Sequence, residues 1–262
     1  MHPILFTQRR WALACCAALA SSPAAALDAP QLYINDAPPF SYVAEGREAG
    51  LVYELLDQMA AHAGIRSSIS SVPFKRIAVQ LNLRPNSLGA MWRQPEVELS
   101  YTWILKLLEE SAMLVARSDT VGDISSIDAA RKLRVGVVLG SPAEVIARRL
   151  GFQHIEVATN AASNARKLQL GRIDAWIAVP SVIAAAQLQI GSDLGALRFG
   201  PPIEKIAMYL SCAAHCKDID IDRWRRAAWA MKKDGSYARI VDKYARIQLQ
   251  GPELVLAIAN CR

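Results

Sequence analysis

The sequence predicts an α/β fold in which parallel strands alternate with helices. Short apolar runs of strand length alternate with amphipathic runs of about 10 to 15 residues along most of the chain. Of the 262 residues, 52% are hydrophobic and 21% are charged, so the chain can bury a substantial core. The length suits one large domain or two lobes of ordinary size.

The first half of the chain supplies four strands and two helices to this pattern. The predicted strands cover 31–36, 67–73, 87–92 and 110–118, and the predicted helices cover 50–65 and 75–83. Apolar residues recur at helical spacing through the first helix, which closes on Gly64, a residue type that commonly ends helices. Pro73 stops the second strand, because proline cannot donate a hydrogen bond to a strand ladder.

The second half continues the alternation. The predicted strands cover 133–140, 154–158, 174–179 and 203–212, and the predicted helices cover 141–151, 160–171, 180–191, 220–235 and 236–247. Ser141 and Pro142 mark one helix start, since serine is favoured at the cap and proline in the first turn.

The N-terminus predicts export. A basic lead precedes the apolar run WALACCAALA, and the small-residue segment SSPAAALDAP follows it. That order is typical of a secretory signal peptide, here residues 1–26 with cleavage after Ala26, and it predicts a periplasmic protein. Lipid attachment at Cys15 or Cys16 is the alternative. The apolar run is too short to cross a bilayer as a mature helix.

Charge and cysteine content bear on the expected partners. The formal net charge is +6, and no basic stripe with interleaved aromatic residues is visible, so we expect no nucleic-acid partner. Cys212, Cys216 and Cys261 follow the signal segment, and an exported protein is expected to pair two of them. A zinc site at CAAHC would need His215 and a fourth ligand, so we expect a disulfide or buried thiols, with no metal or cofactor.

Five phrases follow one another after the signal segment: APPFSYVAEGREAGLVYELLDQMA, VPFKRIAVQL, RVGVVLGSPAE, ARKLQLGRIDAWIA and MKKDGSYARIVDKY. Together they resemble the opening, the lobe junctions and the closing helices of extracytoplasmic solute-binding proteins of family 3. That family has the type II periplasmic-binding fold. The resemblance spans roughly residues 31–245.

The resemblance implies two Rossmann-like lobes with a ligand cleft between them. Lobe 1 would combine residues 27–116 with 206–262, and lobe 2 would cover 117–205, with crossings near 114–120 and 201–208. Ligands of open α/β sheets bind beyond the carboxyl ends of strands, where helix N-termini point at them. The resemblance also implies hinge closure, a monomeric chain, and a membrane permease or sensor as partner.

Two charged groups that hold amino acids in such proteins are missing here. RQPEVELSYTW resembles the segment that carries a carboxylate-binding arginine, and Val97 stands at the arginine position. DAWIAVPSV resembles the segment that carries an ammonium-binding aspartate, and Val179, Pro180 and Ser181 occupy that neighbourhood. The resemblance therefore argues against an ordinary α-amino acid as the ligand.

Three aromatic residues are candidate ligand contacts. Tyr42 follows the Pro-Pro turn, where it can stack against a ligand, and Phe40 beside it either stacks or packs in the core. Trp92 ends a predicted strand that faces the cleft. Trp176 alternates within a buried strand and is expected in the core.

Four polar residues complete the candidate site. Arg93 would replace the missing arginine from a shifted position, with a surface charge as the alternative. Arg76 would reach the cleft from the start of its helix or form a salt bridge on the lobe surface. Ser141 would hold an anion, cap its helix, or do both. Asn160 is a good helix cap that also reaches the cleft.

The expected function is capture of a small polar or anionic solute for delivery to a membrane ABC-type transporter. The alternatives are a sensory or accessory role through a membrane partner and, less favoured, a cyclic-acid dehydratase on the same fold. Glu96, Glu98 and Glu144 are the acids near the expected site, and they form no recognisable acid–base constellation. We therefore do not expect an enzyme.

Overall fold

Residues 29–248 are described by the computed structural model of the chain, with side chains to residue 245. The predicted signal peptide and Cys261 lie outside these residues. Between residues 29 and 248, no helix has the length and apolar character needed to cross a membrane.

The first half of the chain follows the predicted alternation closely. Its elements are β1 (Gln31–Asn35), β2 (Tyr42–Ala44), β3 (Arg47–Ala49), α1 (Leu51–His62), β4 (Ile69–Val72), α2 (Phe74–Leu83), β5 (Ser87–Arg93), a 3-10 helix (Pro95–Ser100) and β6 (Tyr101–Arg117). Gly50 links the β2–β3 hairpin to α1 with φ of 126°. A Cβ atom there would lie 2.4 Å from the Phe40 carbonyl oxygen, so only glycine fits.

The second half is equally regular. Its elements are α3 (Ile127–Ala130), β7 (Arg134–Val138), α4 (Pro142–Arg149), β8 (His154–Ala158), α5 (Ala161–Gln169), β9 (Ala175–Ala178), α6 (Pro180–Gln189), a 3-10 helix (Leu194–Ala196), β10 (Leu197–Ala213), α7 (Ile221–Lys233) and α8 (Ser236–Gln248). The sequence prediction missed α3, a single turn that Ser126 caps by accepting a hydrogen bond from the Ala129 N–H.

The main sheet has eight strands in the order β4-β1-β5-β10-β6-β9-β7-β8. β1 pairs in parallel with β4 and β5 at one end, and β7 pairs in parallel with β8 and β9 at the other. β10 and β6 run antiparallel to their neighbours in the middle. The predicted α/β class with parallel strands is therefore confirmed.

The two central strands tie the halves of the sheet together. β6 and β10 have 17 residues each and pair from Leu197 opposite Arg117 to Ala213 opposite Tyr101. β5 joins this ladder near one end, and β9 joins it near the other. The two strands cover most of the predicted crossing segments, and the exact lobe boundaries stay a prediction.

Helices cover both parts of the sheet. On α1, the apolar face buries Leu55, Leu56 and Met59 against a core that also contains Trp224 of α7 and Tyr244 of α8. A second core cluster surrounds Trp176 with residues of β6, α5 and α6. Burial of these apolar side chains is the main force that holds the halves in shape.

The expected disulfide joins Cys212 and Cys216 at the end of β10, with their Cα atoms 6.0 Å apart. His215 lies between them and is exposed. The part of the chain from residue 29 to residue 248 holds no cluster of three His, Cys, Asp or Glu side chains that suits a metal ion.

Candidate functional site

A cavity of about 630 Å³ lies between the two halves of the sheet. The first half lines it with the loop after β1, the start of α2 and the end of β5. The second half lines it with β9, α6 and the starts of α4 and α5. Its volume falls within the range of about 300 to 1,000 Å³ that is usual for small-molecule sites.

Polar contacts join the two walls beside this cavity. Gln94, just after β5, donates from Nε2 to the Pro142 carbonyl oxygen at 3.5 Å. Arg149 of α4 donates from Nη1 to Glu96 Oε1 at 3.1 Å and from Nη2 to Glu204 on β10. These contacts hold the halves close together around the cavity.

The first wall is aromatic. Phe40, Tyr42, Phe74 and Trp92 all line the cavity. The rings of Phe40 and Trp92 meet edge to face, with centroids 5.6 Å apart, and both are buried. Phe40 therefore packs in the core and lines the cavity at once, so both sequence interpretations hold for it.

Trp176 contributes an indole from the opposite wall, which the sequence analysis missed. Its side chain is 0% exposed, packs in the core and also lines the cavity. Its Nε1–H group has no hydrogen-bond partner among residues 29–245. A buried donor without a partner costs about 1–3 kcal/mol, so a hydrogen bond to this group would stabilise the folded protein. The sequence offered one signal for this cavity position: the side chain has a polar tip and lies in a short strand just before a helix.

Ser141 lines the cavity at the start of α4, but its hydroxyl donates to the Val138 carbonyl oxygen at 2.7 Å and does not cap the helix. Glu144 occupies the helix N-terminus, where Oε2 accepts from the Gly140 N–H at 2.7 Å. Burial works to raise the pKa of Glu144, but this hydrogen bond and the charges of Arg148 and Lys75 outweigh it, so the pKa lies below its ordinary value.

Asn160 lines the cavity and caps α5. Its Oδ1 accepts a hydrogen bond from the Ser163 N–H at 2.9 Å. The side-chain oxygen is therefore committed to the helix, and the side-chain amide N–H group is the part that a ligand can use.

Arg93 lies away from the cavity, on the other face of β5 from Trp92. Successive residues of a strand point to opposite faces, so the prediction that both face the cleft was wrong. The Arg93 guanidinium donates from Nε to Glu98 at 2.8 Å and lies over the rings of Trp103 and Tyr209. The hydrogen bond to Glu98 raises the pKa of Arg93 above its ordinary value.

Two other positions from the sequence analysis are also absent from the cavity lining. Arg76 is exposed on α2, whose first residue, Phe74, does line the cavity. Val97 packs on a separate cluster around Tyr33, Ile77 and their neighbours. The segment with Val97 is therefore not part of the cavity wall, whereas Val179 is.

Glu110 is a buried acid beside the site that the sequence analysis did not single out. It lies on β6, is 5% exposed, and accepts hydrogen bonds from the Ser181 N–H at 3.1 Å and the Ser181 hydroxyl at 2.6 Å. Burial raises its pKa to about 7, against the lowering effect of these two bonds. The available signal in the sequence was its spacing of two from Leu108 and from Ala112, which places all three residues on the same face of a strand.

Comparison with solved structures places the fold. A mutant of ArgBP from T. maritima has a TM-score of 0.72 at 16% identity and covers 83% of this chain and 95% of its own. An ancestral arginine-binding protein bound to arginine has a TM-score of 0.72 at 20% identity, and the match covers 83% of this chain and 98% of that protein. An ancestral amino acid-binding protein, a precursor of cyclohexadienyl dehydratase, has a TM-score of 0.71 at 18% identity, and the match covers 83% of this chain and 95% of that protein.

No protein-family model and no curated protein sequence matches the chain. The structural similarity, at 16 to 20% identity, nevertheless extends over most of each chain. The chain has the two-lobed type II periplasmic-binding fold of these proteins, as its sequence predicts.

Proposed function

We propose that the chain captures a small solute between its two lobes and delivers it to a membrane transporter of the ABC type. The observation that carries this proposal is the cavity of about 630 Å³, which both halves of the sheet line. A cavity lined by two lobes suits capture by hinge closure. Proteins of the same fold are named as amino acid-binding proteins of ABC transporters.

We infer binding rather than catalysis. One neighbour in fold is named as a precursor of a dehydratase, so acid–base chemistry is compatible with this architecture. Glu110 has a pKa near 7, but both of its oxygens are engaged by Ser181 and it is not among the residues that line the cavity. A general acid or base must reach the proton that it transfers.

The remaining features belong to the same proposal. A periplasmic location follows from the signal peptide predicted at residues 1–26. We propose that the chain works as a monomer with a membrane permease as its partner. A sensor or accessory partner would use the same solute-induced closure, so binding is the property to test first.

The test is thermal unfolding of the purified protein with a panel of amino acids, organic acids, amines, sugars and aromatic alcohols. A ligand that binds only the folded form raises the midpoint, and the rise grows with the logarithm of its concentration relative to its dissociation constant. The proposal predicts such a shift with at least one solute. Thr159→Trp, which fills the cavity from an exposed lining position, should abolish that shift.

Gln153→Trp is the control, because Gln153 is exposed, is absent from the cavity lining and lies outside the predicted crossing segments. It should keep the shift. No shift with any member of the panel, or an equal shift in both variants, would contradict solute capture in this cavity.

A further inference from the structure

We infer that the solute is a ring-bearing, largely apolar molecule that carries no carboxylate or other anionic group. This inference rests on the proposed function and adds the chemical class of the ligand. It replaces the expectation of a small polar or anionic solute. Four features of the cavity support it: its charge, its helix terminus, its rings and its unpartnered donor.

The charge of the lining disfavours anions. Among residues 29–245 that line the cavity, Asp36 alone carries a formal charge, and it is negative. An anion would enter without a cation to offset its lost hydration, and burial of an unpaired charge is costly. A neutral molecule has no charge to bury. An amine can place its ammonium group opposite Asp36.

Two of the helix N-termini at the cavity already have an acceptor: Asn160 caps α5, and Glu144 occupies the start of α4. Glu144 accepts from the Gly140 N–H and places a carboxylate at the start of α4, so the N-terminal partial charge of that helix is offset. Lys75 lies against Gly140, where an added Cβ would come within 2.9 Å of the Lys75 Cγ atom. The charge of Lys75 acts on Glu144, so the Glu144 carboxylate offsets part of it.

The rings and aliphatic side chains set the shape of the ligand. Phe40, Tyr42, Phe74 and Trp92 form one wall, and the facing wall carries Trp176 with valine, leucine, isoleucine and alanine side chains. Aromatic pairs gain about 0.5–1.5 kcal/mol beyond the area that they bury. A planar ring between these walls therefore binds better than a polar chain of equal size.

The Trp176 indole supplies directional recognition. Its Nε1–H is buried in a residue that lines the cavity, and it lacks a partner among residues 29–245. Indole nitrogen is a donor only, so its ligand partner must be an acceptor such as a hydroxyl or carbonyl oxygen. The inferred ligand is thus an apolar ring with one neutral acceptor.

The test uses four indole compounds that share one ring and differ in the charge of the side chain. Tryptophol is neutral, tryptamine is cationic, indole-3-acetate is anionic and tryptophan is a zwitterion. Calorimetric titration into the purified protein should give tryptophol a dissociation constant at least about tenfold below that of indole-3-acetate and of tryptophan. Tryptamine, whose ammonium group can face Asp36 but offers Trp176 no acceptor, should also bind more tightly than indole-3-acetate. Equal or tighter binding of indole-3-acetate or tryptophan overturns the inference.

Leu139→Lys tests the charge argument by reversing it. Leu139 lines the cavity and is 46% exposed, so the change is compatible with folding. The variant should bind indole-3-acetate at least about tenfold more tightly than the wild type, whereas the neutral control Leu139→Met should not. Failure of the lysine to improve binding of the acid overturns the charge argument.

Trp176→Phe tests the donor. Binding of tryptophol should weaken by about 3- to 10-fold, which corresponds to one ordinary hydrogen bond. Binding of 3-methylindole, which has no acceptor on its side chain, should stay within about twofold. The second ligand also reports on folding, so equal losses for the two ligands would overturn the donor assignment.

The outcomes separate this inference from the proposed function. A thermal shift with a sugar or an amino acid, but with none of the four indoles, overturns the ring-bearing class and leaves solute capture standing. The absence of any shift across the wider panel overturns both.

Discussion

Glu110 is a buried carboxyl group whose pKa lies well above its ordinary value. It lies on β6 and is buried against Ser181 at the start of α6, beside the cavity residues Ala112, Val179 and Val182. Water is excluded from the carboxyl group, so its neutral form is favoured until about pH 7. Glu110 should therefore contribute a pH-dependent part of the stability of the folded protein.

Glu110→Gln should remove that dependence. In the wild type, the folded state holds the proton from about pH 4.5 to 7 while the unfolded state loses it, so this group's contribution to stability falls as pH rises through that window. The free energy of unfolding of the variant, relative to that of wild type, should rise by on the order of 3 kcal/mol between pH 4.5 and pH 8.

Chemical unfolding of both proteins at pH 4.5, 6, 7 and 8 measures that difference. Glu109→Gln, at the neighbouring partly exposed position, is the control for loss of a charge on the same strand. A constant difference between Glu110→Gln and wild type across the range would contradict the raised pKa.

Gly50→Ala should be costly because two effects act together. The backbone adopts φ of 126°, and a Cβ atom would lie 2.4 Å from the Phe40 carbonyl oxygen. We expect the free energy of unfolding to fall by more than about 2 kcal/mol. Gly151→Ala is the matched control. There φ is 77°, and an added Cβ would meet no neighbouring atom within 4 Å, so the free energy of unfolding should fall by about 1–2 kcal/mol. Equal losses in urea unfolding would contradict the clash.

At the scale of elements, α1 holds the first half of the molecule in shape. Leu55→Ala should lower the free energy of unfolding by about 2–5 kcal/mol, because Leu55 is fully buried in the main core. Gln58→Ala, on the exposed side of the same helix, should change it by less than about 0.5 kcal/mol. Similar losses for the two variants in denaturant titrations would contradict the packing of this helix.

Most elements were predictable because their apolar period matches their structure. The strands β6 and β10 were not fully predicted. Residues 101–109 are mostly apolar without a regular alternation, and residues 197–202 include a glycine and two prolines. The two strands pair with each other along their length, between residues that are about 80 to 112 positions apart in sequence, so their pairing leaves no local signal.

The candidate site was predictable in its loops and less so in its chemistry. Phe40, Tyr42, Trp92, Ser141 and Asn160 all line the cavity, because helix starts and strand ends converge there. The lack of an anion anchor could not be predicted from the sequence. It depends on which face of β5 points inward and on the hydrogen bonds at the N-terminus of α4.

At the scale of the whole molecule, the contacts of Arg149 join the two halves. Arg149→Gln removes its bonds to Glu96 and Glu204, whereas Arg148→Gln removes only the pair with Glu144 inside α4. Exposed pairs contribute up to about 1 kcal/mol, so Arg149→Gln should weaken solute binding by up to about fivefold, less so in high salt. An effect of equal size in Arg148→Gln would contradict a role for Arg149 in closure.

The most direct measurement is calorimetric titration of tryptophol into wild type, Thr159→Trp and Gln153→Trp. If the solute occupies the cavity between the lobes, wild type and Gln153→Trp bind one molecule with the same affinity, and Thr159→Trp binds none. Equal binding by all three proteins would place the solute elsewhere and contradict the central claim.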